Sequence, residues 1–228
     1  EGDGVLVLAN SGNAYRNTTV WRGTLEGSTR TIRGNLINIA TVVLNEPTDS
    51  YFAGDISGAG LIIKTGAGFL RLNNNNAYQQ WRILEGGVVF TSNSTGIWPI
   101  EIGAAGTLLY ETDDEGSIFG PLSGTGLLRK RGSGELAIIG DSSAFSGRTQ
   151  VEAGRLVILR DSKLGGTLEI SSGATLEGTG TVGTTTIAAG GTIEMGRQYG
   201  TLTVQGDLTM QPGSTYLVKA YPVPKSTY

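Results

Sequence analysis

The sequence predicts an all-β protein wound as a parallel β-helix, a single elongated solenoid, and three observations predict it. First, the stretch from Ser57 to Phe90 returns from Ser123 to Val157. Lys64, Gly66, Gly68, Leu70 and Leu72 meet Lys130, Gly132, Gly134, Leu136 and Ile138; Tyr78 then meets Phe145, and Gly87 meets Gly154. Second, the opening residues fit the same frame, with Gly4, Leu6 and Leu8, then Tyr15, then Gly23 and Leu25, at offsets of 64 to 67 residues between copies. Third, a shorter cadence runs through the C-terminal part. Gly173-Ala174-Thr175-Leu176-Glu177, Gly190-Gly191-Thr192-Ile193-Glu194 and Gly213-Ser214-Thr215-Tyr216-Leu217 repeat one phrase at spacings of 17 and 23 residues, which bracket one coil of about 20. A repeated unit leaves an apolar face that only its neighbour covers, so the fold is a stack. Each unit of roughly 66 residues is then about three coils, and ten or eleven coils at ~4.8 Å make a rod roughly 50 Å long.

Taken in order, Val5-Leu6-Val7-Leu8 and Thr18-Thr19-Val20-Trp21 are β-branched or apolar runs bounded by Asn, Gly and Ser, as strands should be. The alternation continues through Thr31–Arg33, Leu36–Ile39 and Thr41–Leu44, until the turn cluster Glu46-Pro47-Thr48-Asp49 breaks it. A helix from Ala77 to Glu85 behind an Asn76 cap is one reading of that stretch. The second copy decides against it, because Ser146-Gly147 sits in its middle, and both copies read as a loop followed by a strand. Inward positions are expected at Leu70, Leu72, Leu84 and Val89, and in the next copy at Leu136, Ile138, Val151 and Leu156. Stacked in aliphatic ladders, each stabilises by about 1.5–3 kcal/mol when fully buried. Residues 91–122, with Trp98-Pro99, the acidic run from Glu111 to Glu115 and Pro121, read as a loop thrown out of the stack. Coiling is parallel because strands recur at a fixed spacing with no helix between them and no hairpin Asn-Gly pair. Residues 1–165 thus form the repeat-bearing β-helix and residues 166–228 the C-terminal coils; a start inside a repeat suggests a piece of something longer.

Composition narrows the function. There are 37 glycines but only 6 prolines and no collagen period, so the glycines are expected at turns that need positive φ. Seventeen basic and twenty acidic residues give a net charge of −3, which argues against a nucleic-acid or anionic-membrane partner. The chain has no Cys, and a long stacked core can do without disulfides. It has no His either, which removes the commonest general base and transition-metal ligand; no metal and no cofactor is expected. No apolar run reaches the ~18 residues of a membrane span, so no membrane insertion by this segment is expected. Glu1-Gly2-Asp3 lacks the features of a signal peptide.

The order Lys64, Gly66, Gly68, Leu70, Leu72, Tyr78, Gly87, Val89 resembles the passenger-associated repeat of bacterial autotransporters. The second copy is closer still, with Lys130, Gly132, Gly134, Leu136, Ile138, Phe145, Ser146-Gly147, Thr149, Val151, Gly154 and Leu156. The phrase from Gly200 to Thr215 is similar to the final coils of such passengers, next to the membrane-anchored part. The resemblance implies a right-handed β-helix exported across two membranes and displayed on, or released from, the bacterial surface. It also implies C-terminal coils that fold first, beside the protein's own translocator barrel. Trp81 has no counterpart in the family pattern, and residues 91–122 match none of it.

Candidate sites are few. The densest basic region is Arg129, Lys130 and Arg131 with Arg148, Arg155 and Arg160, which can line one side of the rod and offer guanidinium forks to sulfate or carboxylate. Such a face would suit a host cell-surface receptor or a glycosaminoglycan; the competing reading is a surface neutralised by the interspersed Glu135, Asp141, Glu152 and Asp161. Glu111, Asp113, Asp114 and Glu115 lack the spaced order of a calcium loop and read as a solvated loop. Scattered carboxylates give no cluster for a polysaccharide lyase, so a non-enzymatic role is expected, with no catalytic residues. The Asn73–Asn76 run reads as a turn, and Asn17-Thr18-Thr19 and Asn93-Ser94-Thr95 as chance matches to a glycosylation tripeptide. The expectation is a monomeric rod that presents a host-binding surface, with a polysaccharide-acting enzyme and a pure stalk as the alternatives.

Overall fold

The computed structural model describes residues 2–13, 15–72, 79–91, 99–195 and 200–218. Among them the regular elements are strands in parallel register, wound as a β-solenoid. Each lap has three positions. The first position is held by Val5–Val7, Thr24–Gly27, Thr41–Asn45 and Leu61–Thr65, then by the opening residues of two long strands, Gln80–Phe90 and Ile100–Glu111. Leu122–Gly124 and, further on, Thr203–Val204 continue it. The second position takes Ser50–Phe52, Phe69–Leu72, the closing residues of both long strands, Leu127–Arg131 and Arg148–Val151. It carries on through Lys163–Ile170 and Thr181–Ile187 to Leu208–Met210. The third position holds Asn17–Val20, Asn35–Asn38 and Ile56–Ser57 at one end of the rod. At the other it holds Glu115–Ile118, Glu135–Ile138, Arg155–Ile158, Thr175–Gly178, Thr192–Met195 and Thr215–Leu217. Asp141–Ser142 and the opening residues of Lys163–Ile170 and Thr181–Ile187 also hold the first position, so first-position segments start at 5, 24, 41, 61, 80, 100, 122, 141, 163, 181 and 203, and a lap takes about twenty residues.

The core follows from this register. Leu25, Val42, Ile62, Trp81, Ile100 and Leu122 are successive partners along one column, none more than 5% exposed. Leu136, Leu156, Leu176 and Ile193 form another. Trp81 fills the column and meets Phe90 edge to face, ring centroids 5.8 Å apart. Column ends are open: Leu6 is 61% exposed and Tyr216 57%.

Two expectations need correction. Residues 100–118 are no extruded loop: Ile100–Glu111 is the longest strand of the stack, with Ile102, Leu108 and Tyr110 fully buried. Leu84 is exposed and Ile83 points inward; Val88 points inward and Val89 outward. Parity slipped because Gly86-Gly87 offers two ways to align the copies. In the structure it is Gly86, at φ 62°, that matches Gly154, at φ 71°. A Cβ on Gly86 would strike Gly68 O, Gly66 O and Ala67 C; one on Gly154 would strike Gly134 O, Gly132 O and Ser133 C; one on Gly23 would strike Gly4 O and Gly2 O. In each copy a Gly-x-Gly corner cradles a left-handed glycine of the following lap.

The lap count adds a refinement. Gly23 immediately precedes a first-position strand, Gly86 lies where its strand passes to the second position, and Gly154 immediately precedes a third-position strand. Likewise Lys64 lies in the first ladder and Lys130 in the second. A repeat therefore spans three laps and one further face, close to the expected three, and equivalent residues step round the rod.

Candidate functional site

The candidate basic residues do not share one face. Arg129, Arg131 and Arg148 are on second-position strands, Arg155 is on a third-position strand, and Arg160 lies at the corner beyond it. Lys130 does not reach the surface at all. It alternates inward with Leu128, and its Nζ donates to the carbonyls of Arg131 and Gly132, both 2.8 Å away, and to Ala153 O at 3.4 Å. Lys64 repeats the arrangement, donating to Thr65 O at 2.6 Å, Gly66 O at 2.7 Å and Glu85 O at 3.3 Å. Carbonyls at a tight corner point inward, and a buried ammonium satisfies several at once. Burial lowers the pKa of Lys64, against the pull of Glu46, Glu85 and Asp49, and lowers that of Lys130 to about 8, against Asp113. This corner plug was missed in the sequence, although the matching lysines ahead of Gly-x-Gly were its signal.

The arginines act as rungs between laps. Arg129 and Arg131 close on the two oxygens of Glu152 from the neighbouring lap, Arg131 Nε at 2.7 Å from Oε2. Partial burial works to raise the Glu152 pKa, and the hydrogen bonds from Arg131 and Arg129 outweigh it, so the net shift is downward. Arg148 pairs with Glu169, whose carboxyl is held low chiefly by that bond. Arg155 bridges Glu177 and Glu194, which are direct register partners; its Nη1 lies 3.2 Å from the Glu194 carboxylate. Upstream, Arg82 meets Glu101 and Arg71 meets Glu111, each at 2.6 Å. The Arg71 pair crosses two laps, past outward Val89 and Leu109, which are 4% and 6% exposed; the flanking arginine stems give them cover. Arg160 stands apart, 79% exposed in its side chain and 4.0 Å from Asp161.

The repeat positions are structural. Gly66 and Gly132 have positive φ, while Gly68, Gly134 and Gly87 do not and are needed for space instead. A Cβ on Gly134 would sit 2.0 Å from Asp114 O, and one on Gly87 2.2 Å from the Phe69 ring. Leu70, Leu136, Ile138 and Phe145 are fully buried and Leu72 nearly so. Phe145 also bridges Gly124 of the lap before. Tyr78, Asn73–Asn76 and Asn93-Ser94-Thr95 lie outside the described residues. In the acidic run, Asp113 Oδ1 accepts the Ser133 N–H at 2.8 Å, as Asp49 Oδ1 accepts that of Phe69. These two carboxylates staple corners between laps. Among the described residues no group of three or more acidic side chains gathers as metal ligands would.

The comparisons fit this geometry. A family profile described as the passenger-associated transport repeat matches residues 1–26, 62–89 and 128–158, each containing one nested-glycine corner. The chain carries the transport repeats of autotransporter passengers. It is similar to the adhesin BmaC autotransporter of Brucella suis biovar 1 (strain 1330), 31% identical over 146 residues. That match covers 54% of this chain and 4% of the relative. It is also similar to the uncharacterized lipoprotein YdeK of Escherichia coli (strain K12), 25% identical over 134 residues, covering 58% of this chain and 10% of that one. The chain thus spans a small fraction of either relative. No solved structure matches. The repeats and the adhesin relative indicate a segment displayed at the bacterial surface or secreted.

Proposed function

We propose that this stretch is a non-enzymatic rod within the passenger, one that holds a host-binding surface away from the cell. The observation that carries the reading is the set of charged rungs. Arg71, Arg82, Arg129, Arg131, Arg148 and Arg155 are each tied to a carboxylate of another lap, which stiffens a stack already sealed by its columns. The relative named as an adhesin supports the display role. The partner is a host receptor or an acidic glycosaminoglycan, the rod acts as a monomer, and residues 166–228 are the coils beside the protein's own translocator barrel. A second reading, a plain stalk and folding segment, is favoured by the same rungs, since paired guanidiniums are not free for a ligand. Binding of the purified chain to host cells and to heparin at physiological salt separates the two. Retention on both supports the display role; retention on neither leaves only the stalk.

A further inference from the structure

The charged side chains are not treated alike along the rod. In the middle laps the arginines are paired, but among the described residues Arg16, Arg22, Arg30 and Arg33 have no carboxylate within ion-pairing distance. All four are exposed, and they fall within 18 consecutive residues. Three of them converge. Residues 28–33 make one helical turn in place of a second-position strand, with Ile32 N–H on Ser28 O at 2.8 Å. Arg33 folds back on that turn, its Nε donating to Arg30 O at 3.1 Å and its Nη2 to Ser11 O at 2.7 Å of the neighbouring lap. Arg16 sits on the adjacent rung, because Asn17 is in register with Asn35 and the Arg16 carbonyl lies hard against Gly34. Arg16, Arg30 and Arg33 thus share one lateral corner, with the Arg33 guanidinium already anchored on two backbone carbonyls. Arg22 precedes a first-position strand at a different corner. Nearby acids are otherwise engaged or one rung away: Glu46 accepts the Thr29 N–H at 2.5 Å, and Asp55 lies in the lap beyond, its N–H on Asn35 Oδ1.

We infer that Arg16, Arg30 and Arg33 form a binding site for a sulfated polysaccharide. The inference rests on the display role above and moves its ligand-binding surface from the Arg129 region to the opposite half of the rod. A guanidinium matches the planar edge of a sulfate or carboxylate with two parallel N–H bonds, and one held in place beforehand loses less entropy on binding. Rungs on neighbouring laps are ~4.8 Å apart, so the cluster meets a chain bearing closely spaced anions better than one isolated phosphate. A segment outside the cell meets such chains on host surfaces. An anionic membrane is the lesser match, because the exposed Trp21 that could enter it adjoins Arg22, at the other corner.

The test uses the full chain with heparin as probe, eluted by salt and titrated at physiological salt, and with vesicles containing phosphatidylserine. Arg16→Glu with Arg30→Glu is the primary variant, because neither side chain makes a bond that the fold needs; Arg33→Gln is second. The expected result is at least a tenfold weaker affinity for heparin in the double variant, with a flatter salt dependence, and no change in Arg129→Gln/Arg148→Gln. Heparin binding untouched by Arg16→Glu/Arg30→Glu overturns the site while the display role stands. Binding to host cells without any binding to heparin overturns the ligand class and leaves the display role intact. Vesicle binding lost in parallel with heparin binding assigns the cluster to general polyanion attraction and overturns a polysaccharide site.

Discussion

At Lys130 the charge and the fold pull against each other. Burial pushes its pKa to about 8 from the ordinary 10.5, with the Asp113 carboxylate acting the other way. The folded chain releases this proton near pH 8, while the unfolded chain keeps it until about pH 10.5. The stability from this group is complete above 10.5 and is lost as pH falls through 8. Its register partner Tyr110 is opposite in sign. Burial pushes the phenol up to about 12, so its contribution is complete below pH 10 and is lost as pH rises through 12. Denaturant midpoints are therefore expected to climb between pH 8 and pH 10. Lys130→Met flattens that climb and, by leaving buried carbonyls without their donor, lowers stability at pH 7 by about 1–3 kcal/mol. A climb unchanged in the variant contradicts the assignment. The correspondence of Lys64 and Lys130 was plain in the sequence; their burial was not, because a lysine between Arg129 and Arg131 reads as part of a charged run. Alternation with Leu128 was the better guide.

At the level of elements, the strands are held in phase by corners. Gly154 and Gly173 separate the two demands a corner makes. Both have positive φ, 71° and 77°, but a Cβ on Gly154 would lie 2.3 Å from Gly134 O, whereas one on Gly173 meets nothing within 4 Å. Gly173→Ala is expected to cost about 1–2 kcal/mol, the left-handed penalty alone. Gly154→Ala should cost clearly more, because backbone must move, and thermal melts of the two variants make the comparison. Equal melting points contradict the nested corner. Strand positions were legible from short alternating runs, as at Thr41–Asn45 and Leu127–Arg131. Residues 100–111 were not, since Gly103-Ala104-Ala105-Gly106 interrupts their alternation and Pro99 precedes them. In the structure that interruption is a bulge, where the register shifts between Ile83 and Glu85 of the facing strand, and the strand continues through it.

Over the whole molecule, the repeat period and the lap do not divide evenly. About 66 residues at about twenty per lap leave a third of a lap over, so matched corners come to the three faces in turn. A sequence comparison sees the period and not the remainder. The candidate basic residues scatter for a simpler reason: within one copy, Arg129, Arg131 and Arg148 fall on second-position strands, Arg155 on the third-position strand after them and Arg160 at the corner beyond. The same arithmetic spreads the nested glycines around the rod instead of aligning them in one seam. All of this depends on residues about twenty apart lying side by side in parallel register. Because the chain has no cysteine, disulfide trapping reads that register directly. Arg148 and Thr167 are direct partners on neighbouring laps, whereas Glu169 lies two residues further along the same strand. Adjacent parallel strands place direct partners ~4.8 Å apart, within reach of a disulfide, and put a partner two residues on at about 8 Å, beyond it. Under mild oxidation Arg148→Cys/Thr167→Cys is expected to cross-link within one chain and Arg148→Cys/Glu169→Cys to stay reduced; the reverse pattern, or no bond in either, would contradict the solenoid.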